Sequence, residues 1–441
     1  MSSLLLDATL REHGREAVSP TARLRSIEKL ADGECVIAYV DVSGTRVVAG
    51  SPVGPQSDTA RRRLFESQRR VVSFGRELDD PFPLPPDAYV VGEQPWWELS
   101  RWDETVRASR SLRSQIRRAE HKGVLARDCG ERELAAGSEL RREVEELVAD
   151  WLRGRHLPPL GFVAAVAPFE LLADRRVFVA RLGQRVVGAL FAIPIGKSGA
   201  WLLDHVVRDR NAPNGTAELL VDAAFRGLVR HGAAHATLGL CPLSGRVPAP
   251  LAWVARLSRG LFDFRGLHAF KAKLKPQWWQ RVLVEHPSQT ALFGTVRALR
   301  AFAGGSLLWF GARTALRGPP PLLRLVALLL IPWMTALAHP AAERFFPSSG
   351  VRGAWVVFDF GVMLALLWLA QRVSRRYRKR WLHVILAILI TLDALLTSFE
   401  AVTWNATRLA GWGDAVWVAC GCLAPAGVAV MLWSALRFRE R

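Results

Sequence analysis

The chain has 441 residues, enough for two or three domains that each bury a core. It carries 59 Lys and Arg against 40 Asp and Glu, a net charge of +19, which points to a polyanionic partner such as RNA or an anionic membrane surface, although an Arg-rich protein without one would show the same total. Five scattered cysteines (Cys35, Cys129, Cys241, Cys420, Cys422) form no Cys-x-x-Cys pair and no zinc-like Cys/His spacing, which argues against a disulfide framework and a structural metal.

The opening MSSLLLDATLREHGRE has too short an apolar run, and acids too early, for a secretory signal. Up to about residue 286, β-branched runs (CVIAYVDV, RVVAGS, VFVARL, RVVGALFAIPI) alternate with amphipathic stretches, which predicts an α/β fold with a mixed sheet. Residues 107–124, RASRSLRSQIRRAEHKGV, predict a helix with the apolar stripe Leu112, Ile116 and Ala119. Its other face carries Arg107, Arg110, Arg113, Arg117, Arg118 and Lys122, with Glu120 as the one acid of the run. Such a face suits the phosphates of an RNA end or a lipid headgroup, and a solvated helix face explains it equally well.

WLLDHVV (201–207) reads as a strand whose alternation places Asp204, Val206 and Arg208 on one side. A turn, Asn211-Ala-Pro-Asn-Gly215, follows, then a helix from about Thr216 with Leu220, Ala224 and Leu228 on one stripe and a stop at Gly232. HATLGL (235–240) is the next strand. The turn is either a cradle for an acyl group or phosphate at a helix N-terminus, or an ordinary crossover. This unit resembles the donor site of acyl-CoA N-acetyltransferases. Their Arg-x-x-Gly-x-Gly/Ala turn is reduced here to the single Gly215, which argues against coenzyme A as donor. HAFKAKLKPQW (268–278) reads as a strand with Lys271, Lys273 and Lys275 on one face, holding an anion between them or guarding a sheet edge.

Beyond Pro320 four stretches are long enough to span a bilayer: 320–338, 353–371, 381–402 and 414–436. The loop RVSRRYRKR between the second and third has six basic residues and no acid, and the tail RFRER adds three arginines. The opposite loops, near 339–352 and 403–413, hold Arg344, Arg352 and Arg408. The positive-inside rule then puts both termini in the cytoplasm, with Trp355, Trp381 and Trp433 as interfacial anchors. Residues 288–317 mix apolar residues with arginines and read as one linker helix on the inner leaflet. Asp359, Asp393 and Glu400 are acids inside the spans, where ionisable groups are costly; they form a shared polar site or hydrogen-bond their neighbours.

Six motifs occur in order: Gly50-Ser-Pro-Val-Gly54; Ser111-Leu-Arg-Ser-Gln-Ile-Arg-Arg-Ala119 with Lys122-Gly-Val124; Asp150-Trp-Leu152 and Gly161-Phe162; Asp204-x-x-x-Arg208 with Asn211-Ala-Pro-Asn-Gly215; Gly239-Leu-Cys-Pro-Leu243; and Phe262-x-Phe264, Gly266-Leu267 and Phe270-Lys-x-Lys273-x-x-Pro276-x-Trp278. Together they resemble the C-terminal synthase domain of phosphatidylglycerol lysyltransferases of the multiple peptide resistance factor type, over roughly residues 30–286. The resemblance implies tandem acetyltransferase-like (GNAT) domains at 1–130 and 131–287, the second carrying the active site. A juxtamembrane linker at 288–318 and four transmembrane helices at 319–441 would follow. It also implies transfer of an aminoacyl group from aminoacyl-tRNA to a phospholipid headgroup such as phosphatidylglycerol, at the cytoplasmic face of the inner membrane, without a cofactor and without DNA.

Carried over by position, Asp204 binds the donor's amino group or orients the site, and Asp204 or His205 is the general base. Arg208, Lys271 and Lys273 hold phosphate or the oxyanion. Asn214 and the amides after Gly215 face the acyl carbonyl, Glu218 is a second acid, and Arg113, Arg117 and Arg118 face tRNA or lipid. Family members carry their spans before the synthase domain, whereas the four here follow it, so flippase activity is not implied. Ser51 stands where the family has Asp, and His205 is unusual. Two alternatives are an N-acyltransferase using acyl-CoA or acyl carrier protein, and a non-catalytic membrane scaffold or transporter.

Overall fold

The alternating β-branched runs become strands of one mixed sheet. The computed structural model describes residues 3–67, 70–79, 81–155, 157–257, 261–286, 291–374 and 381–440. The chain divides into two units: Met1–Leu152, Pro159–Arg259 and Asp263–Leu307 form the first, and Arg153–Pro158, Gly260–Phe262 and Leu308–Arg441 the second.

In the first unit α1 (Ser3–His13) leads to β1 (Glu28–Asp32), β2 (Cys35–Val42) and β3 (Thr45–Ala49). Helix α2 (Ser57–Ser67) crosses over to β4 (Val71–Leu78), which runs parallel to β3. Then come β5 (Ala88–Glu98), α3 (Trp102–Ala108), α4 (Arg110–His121), β6 (Val124–Cys129) and α5 (Glu139–Arg153). Strands β7 (Arg176–Leu182), β8 (Arg185–Ile195) and β9 (Ala200–Arg208) form a meander, and α6 (Thr216–Arg230) crosses to β10 (His235–Thr237), parallel to β9. β11 (Cys241–Pro242), α7 (Ala249–Leu257), α8 (Phe264–Lys273), β12 (Trp278–Glu285) and α9 (Ala291–Phe302) follow.

The sheet order is β1-β2-β3-β4-β12-β5-β10-β9-β8-β7-β6, with β11 on β5. Strand alternation divides the core between the two faces. Phe178 and Ala180 of β7 pack with Leu112 and Ile116 of α4 and Leu220, Ala224 and Leu228 of α6. Val177 and Val179 pack with Val144, Leu147 and Val148 of α5 on the other face. The sheet thus contains two β-α-β crossovers between parallel strands, β3-α2-β4 and β9-α6-β10, one in each half.

Two expectations are corrected. Residues 264–273 form helix α8, not a strand: Asp263 caps its start by accepting from Gly266 N at 2.8 Å. Of the expected linker helix at 288–317, residues 288–290 lie outside the described residues and 291–317 do not form one surface helix. Helix α9 buries Ala298 and Ala301 in the first unit's core, where Phe302 lies edge-on to Phe74 and Phe162, and a separate α10 (Leu307–Leu316) begins after Gly304-Gly305.

In the second unit α11 (Pro320–Ala338), α12 (Ser349–Ser374), α13 (Trp381–Glu400) and α14 (Trp412–Glu440) follow α10. All four are long and apolar enough to cross a membrane. Leu323, Ala327, Leu366, Ala387, Ile390 and Leu432 form their shared core, and Trp333 stacks on Trp417 at 4.7 Å. Asp359 is buried, and Asp393 accepts from Thr397, one turn along the same helix, at 3.2 Å. Of the basic loop and tail that orient the spans, residues 375–380 and 441 lie outside the described residues.

Candidate active site

Strand β9 loses its alternation at Asp204. Its register with β8 shifts between Phe191 and Ala192: His205 faces Phe191 and Leu203 faces Ala192, leaving Asp204 as the extra residue of a β-bulge. Neighbouring side chains of a regular strand point to opposite faces. Here His205 Nε2 lies 3.5 Å from Asp204 Oδ1, so the bulge brings the two together. Arg175 Nη1 donates to Asp204 Oδ2 at 2.9 Å, and its Nε donates to the Glu170 carbonyl at 2.9 Å. Arg175 and Asp204 are both largely buried, so in this low-dielectric setting each needs the other.

Beyond Leu202 and Thr237, the last paired residues of β9 and β10, the two parallel strands part. Lys271 of α8 enters there. Its Nζ donates to the carbonyls of Leu238, Gly239 and Leu240 at 2.8, 2.7 and 3.0 Å, and the residue is only 4% exposed. Burial pulls its ammonium down to about 8, with the neighbouring Cys241 opposing the shift. Three carbonyls thus occupy all three donors of the group expected to meet a phosphate. Lys273, two residues and about 200° further round the helix, points elsewhere. It donates to Glu218 Oε1 at 2.7 Å, tying the end of α8 to the first turn of α6.

The turn before α6 is closed by packing. Gly215 adopts φ +97 and is buried, and a Cβ there would collide with the Gln115 carbonyl of α4. Thr216 is fully buried and returns its hydroxyl to the Pro213 carbonyl at 2.7 Å. Asn214 is exposed, and Arg208 ends β9 opposite Gly188. On α4 the stripe Leu112, Ile116 and Ala119 is buried as its spacing requires. Arg110, Arg117 and Arg118 are exposed on its outer face, whereas Arg113 bends back to the Val106 and Arg107 carbonyls at the end of α3.

The structure therefore brings Asp204 to His205 and Glu218 to Lys273, and sets Lys271 and Gly215 into packed surroundings. Two groups went unread in the sequence. Arg175 reaches Asp204 across 29 residues of chain, and its one local sign is a basic pair, Arg175-Arg176, before an apolar strand. His268 Nε2 lies 3.0 Å from Glu93 Oε1 and its ring stacks on Trp279 at 4.6 Å. A pocket of about 250 Å³ is lined by Arg175 together with Arg11, Glu131, Asp174, Arg176 and Trp201 among others. Among the described residues no group of three or more His, Cys, Asp or Glu could hold a metal ion.

Residues 88–284 match the family described as phosphatidylglycerol lysyltransferase, C-terminal. No curated protein sequence matches the chain. Two solved structures share the fold. One is the C-terminal domain of a protein provisionally assigned as a lysylphosphatidylglycerol synthetase from Agrobacterium fabrum: TM-score 0.57, 18% identity, covering 69% of this chain and 98% of that one. The other is L-PGS from Bacillus licheniformis: TM-score 0.55, 21% identity, covering 70% of this chain and 97% of that one. At these identities the likeness speaks for the tandem GNAT-like fold alone.

Proposed function

The chain belongs, through residues 88–284, to the phosphatidylglycerol lysyltransferase C-terminal family, and on that premise we propose that it is a membrane-bound aminoacyltransferase. It moves an aminoacyl group from aminoacyl-tRNA to the hydroxyl of a phospholipid headgroup. The observation that carries this reading is the bulge that sets Asp204 and His205 side by side where β9 and β10 part, with Arg175 behind them.

The donor is an ester and already activated, so catalysis needs positioning, a proton acceptor and charge stabilisation. Asp204, held by Arg175, orients the His205 imidazole. His205 takes the proton of the lipid hydroxyl as its oxygen attacks the ester carbonyl carbon. The tetrahedral oxyanion collapses, the bond to the tRNA ribose oxygen breaks, and His205 returns the proton to that oxygen. Arg208, at the end of the same strand, meets the lipid phosphate. The exposed Arg110, Arg117 and Arg118 of α4 meet the tRNA backbone. The four C-terminal helices hold the chain in the inner membrane, and the basic loop before α13 keeps the catalytic unit on the cytoplasmic side.

The test is chromatography of lipid extracts stained for primary amines. Cells expressing the chain should contain a new amine-positive lipid, and cells expressing Asp204→Ala should lack it. An unchanged lipid profile with the wild-type chain in the membrane would refute the assignment.

A further inference from the structure

The first half of the sheet repeats the strand-helix-strand crossover of the second, and there too the parallel strands part. β3 pairs with β4 from Arg46 to Ala49, and Gly50 N still donates to the Phe74 carbonyl at 2.8 Å. Beyond it the chain turns at Gly50, φ +69, and Val53 joins Val36 instead, leaving a cleft between Ser51 and the Gly75–Leu78 end of β4.

The segment after α1 fills this cleft. Glu16 accepts from Ser51 N at 2.7 Å through one carboxylate oxygen and from Ser51 Oγ at 2.8 Å through the other. Ala17 N donates to Glu77 Oε1 at 2.5 Å across the cleft. Val18 packs against Gly50 and Gly75, and a Cβ on Gly50 would collide with the Glu16 carboxylate. Ala17 continues into a core with Trp96, Ile193, Ile195 and Leu202. Two donors aimed at one carboxylate, with a backbone bare enough to admit it, make a built carboxylate cradle.

We infer that the cleft between β3 and β4 is a carboxylate-binding site whose ligand is Glu16 of the same chain, and that with this side chain removed the site takes a small free carboxylate such as formate or acetate. The inference is independent of the aminoacyl-transfer reading, since none of its residues belongs to the Asp204 site.

The experiment is thermal melting of the purified full chain in detergent, in sodium formate or sodium chloride of equal ionic strength. Glu16→Ala should melt several degrees below wild type in chloride and regain at least half of that loss in formate. Wild type should not respond, and Glu16→Ala/Ser51→Ala, which keeps the backbone N–H but loses the hydroxyl donor, should regain less than half of what Glu16→Ala regains. Equal melting of Glu16→Ala in the two salts, or a formate gain as large in wild type, would overturn the proposal. If Glu16→Ala does not fold in either salt, Glu16→Met decides. It fills the space but offers no acceptor to Ser51 N or Ser51 Oγ, so it should melt several degrees below wild type in both salts, and melting like wild type would overturn the proposal.

Discussion

Replacing Lys271 by Met would delete a buried ammonium and leave a chain of similar length. Two opposing terms follow. Burial pulls the ammonium's pKa from 10.5 down to about 8, which corresponds to about 3 kcal/mol against the charged form. Because the folded value lies below the unfolded one, the unfolded chain holds the extra proton between pH 8 and 10.5. Wild-type stability therefore rises with pH across that window and is lost as pH falls through 8. Against this, methionine leaves the carbonyls of Leu238, Gly239 and Leu240 without their donor, at about 1 kcal/mol each. Near pH 7 the terms nearly cancel, and the variant should lie within about 1 kcal/mol of wild type. At pH 10.5 the folded amine is neutral and keeps two N–H donors for the three carbonyls, so the wild type should be ahead by about 2 kcal/mol, or about 3 °C of melting temperature for a unit of this size. Melting of both proteins in detergent from pH 7 to 10.5 reads the difference directly. Parallel profiles with a constant gap would refute the reasoning.

His205→Ala should lower turnover of aminoacyl-tRNA by about 100-fold or more with a small change in KM, as loss of a general base does, measured by labelled lipid formation. Arg175→Met leaves the Asp204 carboxylate buried without its cation, and should cost about 3 kcal/mol of stability as well as activity, read by melting and turnover together. Arg117→Glu with Arg118→Glu should raise the KM for aminoacyl-tRNA about tenfold and flatten its salt dependence while leaving the melting temperature unchanged. Gly215→Ala forces a Cβ against the Gln115 carbonyl at positive φ and should cost about 1–3 kcal/mol, measured by melting.

Features with one-sided chemistry were legible in the sequence. The stripe Leu112, Ile116 and Ala119 fixes which face of α4 is buried, and the strand-turn-helix-strand order from Trp201 to Leu240 is that of β9, α6 and β10. Four apolar stretches became four long helices because their few charged residues, such as Arg324, Asp359 and Asp393, stand singly within long apolar runs. Misreadings arose where two periods compete. Lys271, Lys273 and Lys275 alternate like a strand, yet the Asp263 cap starts a helix, and Pro276 after Lys275 at φ +55 ends it. Residues 291–302 mix arginines with apolar residues as a membrane-surface helix does, but their small residues Ala298 and Ala301 fit a protein core. The bulge at Asp204 depends on register against β8 and leaves no local signature, and the basic pair Arg175-Arg176 does not say which acid it will meet.

The most direct test of the proposed activity is reconstitution. The purified full chain in phosphatidylglycerol-containing vesicles is given lysyl-tRNA or alanyl-tRNA labelled in the aminoacyl group, alongside a labelled aminoacyl coenzyme A thioester. Label entering the lipid from a charged tRNA, abolished by ribonuclease and by Asp204→Ala, is the predicted result. Label entering from the thioester alone, or from neither donor, would contradict it.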